Sequence, residues 1–139
     1  MLSGTCHCGA VRIELDRKPK GITECNCSVC WRYGVLWAYD RKEAARVIAK
    51  PGALEVYAWG RKDLGFHRCR ACGCVIFWEP LEGGDDQTCI GVNVRLLPFE
   101  EIAEIPIRQL DGAKSWKEWK SALAPDIAHR WARGDDSGA

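Results

Sequence analysis

The chain has 139 residues, 47% of them apolar and 28% charged, and its 20 Lys and Arg against 19 Asp and Glu leave a net charge of +1. That size and balance predict a single globular domain over 1–133 with a frayed tail at 134–139, and exclude a disordered or fibrous chain. No net field would draw in nucleic acid or an anionic surface. No apolar run nears the roughly 18 residues that span a bilayer, and Met1-Leu2-Ser3-Gly4-Thr5-Cys6 lacks the regions of a signal peptide. A cytoplasmic location with neither membrane nor nucleic-acid partner is therefore expected.

In chain order, Gly4 and Gly9 flank Cys6-x-Cys8, which predicts a turn between two short strands. Ala10 to Asp16 alternates, with Val11, Ile13 and Leu15 facing the core and Arg12, Glu14 and Asp16 facing water, the pattern of a half-buried strand. Ile22 to Cys25 reads as a strand end, Ser28 to Tyr33 as a helical turn, and Val35 to Tyr39 as a strand. Asp40 to Ala49 is compatible with a helix, started by Asp40 and Glu43, or with a strand over Arg46-Val47-Ile48. Pro51-Gly52 marks a turn. Leu54 to Trp59 and Leu64 to His67 alternate around Gly60 to Asp63, which predicts a hairpin. Val75 to Trp78 reads as a strand buried on both faces, Glu82 to Asp86 as a loop, and Thr88 to Val94 as a strand with Ile90, Val92 and Val94 on one face. Pro98 to Ala103 predicts a short helix. Ser115-Trp116-Lys117-Glu118 has the form of a capping box, and Trp116, Trp119 and Leu123 share a helical face. A last short helical piece is expected between Pro125 and Gly134. The sum is mainly antiparallel β with minor helices, stapled by metal.

Nine cysteines are the outlying count. An odd number cannot pair completely into disulfides, and a cytosolic chain is kept reduced. Seven of them fall into Cys6-x-Cys8, Cys25-x-Cys27-x-x-Cys30 and Cys69-x-x-Cys72. In a reducing compartment such clustering means that several thiolates converge on one soft cation, and zinc prefers four in a tetrahedron. Cys69-Arg70-Ala71-Cys72-Gly73 looks like a zinc knuckle that fills half a tetrahedron, and Cys6 and Cys8 supply the other half. The resulting site is closed and therefore structural. Cys25, Cys27 and Cys30 then remain, and three thiolates leave one corner free, as catalytic zinc sites do. His7, His67, Cys74 and Cys89 compete for that corner. His7 is expected to point away from the metal of its neighbours, His67 to lie on a strand surface, and Cys74 and Cys89 to be small core residues.

Gly-Thr-Cys-His-Cys-Gly-Ala-Val at 4–11, Cys-Asn-Cys-Ser-Val-Cys-Trp-Arg-Tyr-Gly at 25–34 and Phe-His-Arg-Cys-Arg-Ala-Cys-Gly-Cys at 66–74 are similar to one known family. Gly91-Val92-Asn93 and Leu110-Asp111-Gly112 add to the likeness. The chain resembles, from Leu2 to Trp119, the glutathione-dependent formaldehyde-activating enzymes, whose domain is shared with centromere protein V. The resemblance implies a β-tent of twisted antiparallel sheets. It implies a structural zinc on Cys6, Cys8, Cys69 and Cys72 and a catalytic zinc on Cys25, Cys27 and Cys30, two ions per chain. The implied activity is that of a carbon–sulfur lyase, which adds the glutathione thiol to formaldehyde to give S-hydroxymethylglutathione. Trp31 stands where the family commonly has a basic residue, and Cys74 where many relatives have a small hydroxyl residue; both departures bear on the substrate more than on the metal sites.

Three thiolates suit a thiol substrate. They leave zinc with a net charge of −1, a poor generator of hydroxide but a soft partner for an incoming sulfur. The expected chemistry is a small-molecule thiol, in the leading reading glutathione, that takes the fourth position and attacks the carbon of formaldehyde or a related small aldehyde. A non-catalytic zinc module that binds a protein or nucleic-acid partner is the alternative. Arg32 is a candidate anchor for a glutathione carboxylate, because the guanidinium binds carboxylates in a fork; the alternative is a solvated charge. Trp37, Trp59 and Trp78 are expected to be core or cross-strand aromatics rather than the lining of a substrate cleft. Lys114 to Lys120, with Trp116 and Trp119, is expected to be an amphipathic helix packed on the core.

Overall fold

The structure is a computed structural model that describes residues 1–82 and 84–118. It is mainly β, as expected. A three-stranded antiparallel sheet holds β1 (Leu2–Thr5), β2 (Val11–Leu15) and β5 (Ala45–Ala49) in the order β1-β2-β5. The second sheet has seven strands: β3 (Ile22–Cys25), β4 (Trp37–Arg41), β6 (Leu54–Tyr57), β7 (Leu64–Cys69), β8 (Val75–Pro80), β9 (Cys89–Asn93) and β10 (Ile107–Leu110). Their order is β10-β3-β4-β9-β8-β7-β6. Two short helices, α1 (Ser28–Tyr33) and α2 (Phe99–Ile102), complete it together with 3₁₀ turns at Lys42–Ala44 and Val94–Leu96. Among the described residues no helix is long and apolar enough to cross a membrane.

Alternation decides which residues meet. In β2 the apolar set Val11, Ile13 and Leu15 is buried, as its period of two requires. It packs against Ala38, Ile76, Ile90, Val92 and Val94 of the larger sheet and its following turn, so the two sheets share one core. The larger sheet is buried on its opposite face as well, where Cys25, Trp37, Phe66 and Val75 form a second cluster with Cys30 and Val35. That explains why β8 reads as a continuous apolar run.

β3 and α1 form where the sequence places them, and the ambiguous 40–49 stretch resolves into a 3₁₀ turn followed by a strand. Two outcomes differ from expectation. β10 was not legible in the sequence, and it pairs in parallel with β3 in a sheet that is otherwise antiparallel. Arg108 donates to Thr23 Oγ1 at 3.1 Å and Gln109 to Glu24 Oε1 at 3.5 Å across that pair. The helix expected from Ser115 does not start. Asp111 Oδ2 accepts from both the backbone N–H and the hydroxyl of Ser115, Trp116 adopts φ 59°, and Glu118 makes an antiparallel bridge to Leu110. Asp111 thus takes the Ser115 N–H that the Glu118 side chain would accept in a capping box. Trp119, Leu123, the 125–134 piece and the 134–139 tail lie outside the described residues.

Gly4 has no room for a side chain, since a Cβ there would sit 2.0 Å from the Leu96 carbonyl oxygen. The obstacle is backbone and cannot rotate away. Gly4→Ala is expected to lower stability by roughly 3 kcal/mol through overpacking, measured as a lower urea midpoint at unchanged m-value.

A four-sulfur cluster and a three-sulfur cluster beside an aromatic cleft

The hairpin loop between β1 and β2 carries Cys6 and Cys8. Gly9, at φ 83°, closes it by donating to the Cys6 carbonyl. The loop between β7 and β8 carries Cys69 and Cys72. There the Cys69 N–H donates to the Cys74 carbonyl, the Gly73 N–H donates to the Cys69 carbonyl, and Gly73 is at φ 80°. One loop belongs to each sheet, and they meet. The sulfur–sulfur separations are 3.7 Å for Cys6 and Cys8 and 3.6 Å for Cys8 and Cys69. A tetrahedron with zinc–sulfur bonds of about 2.3 Å has edges of about 3.8 Å, so the spacing fits zinc. Val11 N–H donates to Cys6 Sγ at 3.3 Å. Backbone N–H groups of Cys74 and Cys8 pull the Cys72 thiol down to about 5, and those of Cys72 and Ala71 hold Cys69 below the usual thiol range. Both therefore lean toward the thiolate that a metal requires.

The second cluster is built by one change of direction in the chain. Cys25 ends β3, Cys27 is the N-cap of α1, and Cys30 lies in its first turn. Gly34, at φ 65°, ends the helix and donates to the Cys30 and Trp31 carbonyls. Each sulfur receives one N–H: Cys27 N donates to Cys25 Sγ at 3.4 Å, Cys30 N to Cys27 Sγ at 3.5 Å, and the Trp37 indole to Cys30 Sγ at 3.3 Å. Hydrogen bonds from the thiols of Cys25 and Cys30 pull Cys27 below the ordinary thiol value, while contact with Cys27 pushes Cys25 up and contacts with Cys25 and Cys27 push Cys30 up.

Both groups could hold a metal ion. Cys6, Cys8, Cys69 and Cys72 form one, and Cys25, Cys27 and Cys30 the other, with the sulfurs of each within 4.8 Å of one another. Among the described residues none of the four competitors joins either group. His7 is exposed. His67 stacks on Phe77 with centroids 4.2 Å apart, and its Nε2 lies 3.3 Å from Glu79 Oε1. Cys74 packs half-buried against the core, but Cys89, expected in the core, is exposed at the start of β9. Arg32 does not line the trio's cleft. It is exposed and donates to the Ser28 carbonyl of its own helix at 3.0 Å.

A cleft of about 580 Å³ opens on Cys25, Cys27 and Cys30. Trp37, Trp59 and Trp78 all line it, contrary to the expectation that they serve only as packing. Register explains how the strand residues converge, while Trp59 comes from the loop between β6 and β7. Phe66 lies opposite Trp78, Trp78 opposite Gly91, and Gly91 opposite Tyr39, across four adjacent strands. Opposed residues share a face. Gly91 leaves a gap there that the Trp78 indole fills, for a Cβ at Gly91 would lie 2.0 Å from Trp78 Nε1. Tyr39 reaches the same indole with ring centroids 5.9 Å apart. Burial pushes the Tyr39 phenol up to about 12, so it keeps its proton at neutral pH.

The loop after β10 packs against the trio. Asn26 donates to Asp111 Oδ1 at 3.0 Å and accepts from Ala113 N–H at 3.1 Å. A Cβ on Gly112 would stand 2.4 Å from Cys25 Sγ. Asn93, in the Gly91-Val92-Asn93 motif, donates to the Val75 carbonyl at 2.8 Å and accepts from Leu36 N–H at 3.4 Å, which binds β8, β9 and the entry to β4 together.

A family model described as glutathione-dependent formaldehyde-activating enzyme matches residues 1–104. The chain is also similar to a protein of Rhodobacter sphaeroides, a structural-genomics target whose crystal structure is known. The two are 32% identical, with a TM-score of 0.61 over 76% of this chain and 99% of that one.

Proposed function

The chain belongs to the glutathione-dependent formaldehyde-activating enzyme family, and from that premise we propose that it is a zinc-dependent enzyme of carbon–sulfur lyase type. In this reading Cys6, Cys8, Cys69 and Cys72 hold a structural zinc, and Cys25, Cys27 and Cys30 hold a catalytic one. Glutathione is the thiol, and it adds to formaldehyde or a related small aldehyde. The observation that carries the reading is the inequality of the two clusters. One gathers four sulfurs, whereas the other gathers three and faces a cleft.

Cys25, Cys27 and Cys30 would hold the zinc, which when bound would supply a soft Lewis acid that favours the thiolate form of a thiol substrate. A free thiol with pKa near 8.5 is only a few per cent thiolate at pH 7, so full ionisation is worth roughly 2 kcal/mol. The chain's own groups do the rest. The N–H groups of Cys27, Cys30 and Trp37 fix the directions of the three sulfurs. Tyr39 keeps a phenolic proton that can be offered as a hydrogen bond to a carbonyl oxygen. The reaction balances without an oxidant: sulfur bonds to the carbonyl carbon, the carbon–oxygen π bond opens, and the thiol proton ends on oxygen.

X-ray absorption at the zinc edge tests this. Protein purified under reducing conditions is expected to carry two zinc ions, with added glutathione supplying a new sulfur to one. Four protein ligands at both ions, unchanged by glutathione, would leave a non-catalytic zinc module in place of the enzyme.

A further inference from the structure

We propose that the carbonyl substrate of this site carries an aromatic or bulky aliphatic substituent. The inference rests on the thiol half of the reading above and replaces its small aldehyde with a larger carbonyl compound. Formaldehyde, a single carbon and a single oxygen, needs no wall. Here the wall is extensive: Trp37, Tyr39, Trp59, Phe66, Trp78 and Trp116 all face the cleft. Its volume of about 580 Å³ falls within the range of organic-ligand pockets.

The glutathione portion does not account for that lining. Its two carboxylates and its ammonium group call for charged partners. The described lining holds one cation, Arg61, and one carboxylate, Asp63, both exposed on the loop between β6 and β7. The charged ends of the tripeptide therefore belong at that edge of the cleft, and the interior is left to an apolar group. Tyr39 remains 40% exposed, Trp59 42% and Trp116 69%. So much apolar surface gathered in one concavity marks a ligand site. Gly91 shows that the wall is shaped, since any side chain there would push the Trp78 indole out of the row.

The thiol and an aldehyde R–CHO give glutathione–S–CH(OH)–R, with the thiol proton transferred to oxygen and R laid against the aromatic row. Stable thioethers mimic the two extremes. S-methylglutathione stands for the formaldehyde adduct and S-benzylglutathione for an aromatic one. Titrations of the zinc-loaded full chain with each, and with glutathione itself, would follow tryptophan fluorescence and heat. S-benzylglutathione is expected to bind at least tenfold more tightly than S-methylglutathione, since even small apolar increments in a fitted pocket are worth about tenfold or more. That preference should shrink several-fold in Trp59→Ala, whose side chain is partly exposed and whose loss should spare the fold. Equal affinities for the two thioethers alongside clear glutathione binding would overturn this proposal and leave the thiol reading standing. No binding of glutathione would overturn both.

Discussion

Cys69→Ser is expected to unfold the protein at 25 °C, whereas Cys27→Ser should leave the fold intact and abolish thiol binding. Cys69 ends β7 in the seven-stranded sheet, and its sulfur lies 3.6 Å from Cys8 in the hairpin of the three-stranded one. The four-sulfur cluster is thus a clamp between sheets. Structural zinc in small peptides binds with about 10–16 kcal/mol, as much as the whole stability of a typical domain, about 5–15 kcal/mol. Loss of that binding removes more than the shared core can supply. Cys27 lies within one strand-to-helix connection, so a lost ion there releases only local structure. Circular dichroism melts of both variants, with zinc content and glutathione titration of the folded one, make the comparison. A strong chelator should reproduce the first variant once the clamp ion is stripped. Identical melting of the two would show that the division of labour is wrong.

Gly112→Ala should carry the second large effect, and by sterics alone, because Gly112 has no left-handed backbone that alanine would resist. The new Cβ would lie 2.4 Å from Cys25 Sγ and 3.4 Å from Cys27 Cβ. Either the sulfur or the loop held by Asn26 and Asp111 must move. A displacement on the order of 1 Å at a reacting centre costs on the order of 100-fold in rate. The expected signature is zinc content falling from two ions toward one, or activity falling about 100-fold, with an unchanged melting profile of the clamp. Retention of both ions and full glutathione affinity would count against a close fit of this loop on the trio.

The parts of the fold that were legible share a short range. Val11, Ile13 and Leu15 announce β2 by alternation alone, and Ser28 to Tyr33 becomes a helix because Cys27 caps it and Gly34 ends it. The cysteine pairs were readable because C-x-C and C-x-x-C converge within one turn of chain. The failures are long-range. Ser115 begins a fair capping box, yet Asp111 takes the Ser115 N–H meant for Glu118, and that carboxylate is itself oriented by Asn26 from a distant loop. β10 has too few residues for a pattern, and its partner is 85 positions away.

The sequence by itself determined which sulfurs are grouped, that one group is a trio, and the family to which such spacing belongs. Only the tertiary structure decided that the tetrad joins two sheets and that Trp37, Trp59 and Trp78 meet beside the trio. It also decided that Gly91 and Gly112 are glycine because a tryptophan ring and a cysteine sulfur occupy their side-chain space. The reason is physical. Thiolates a few residues apart are brought together by the covalent chain, whereas which residues face one another across strands depends on register, and register is settled only when both faces of the sheet find their cores.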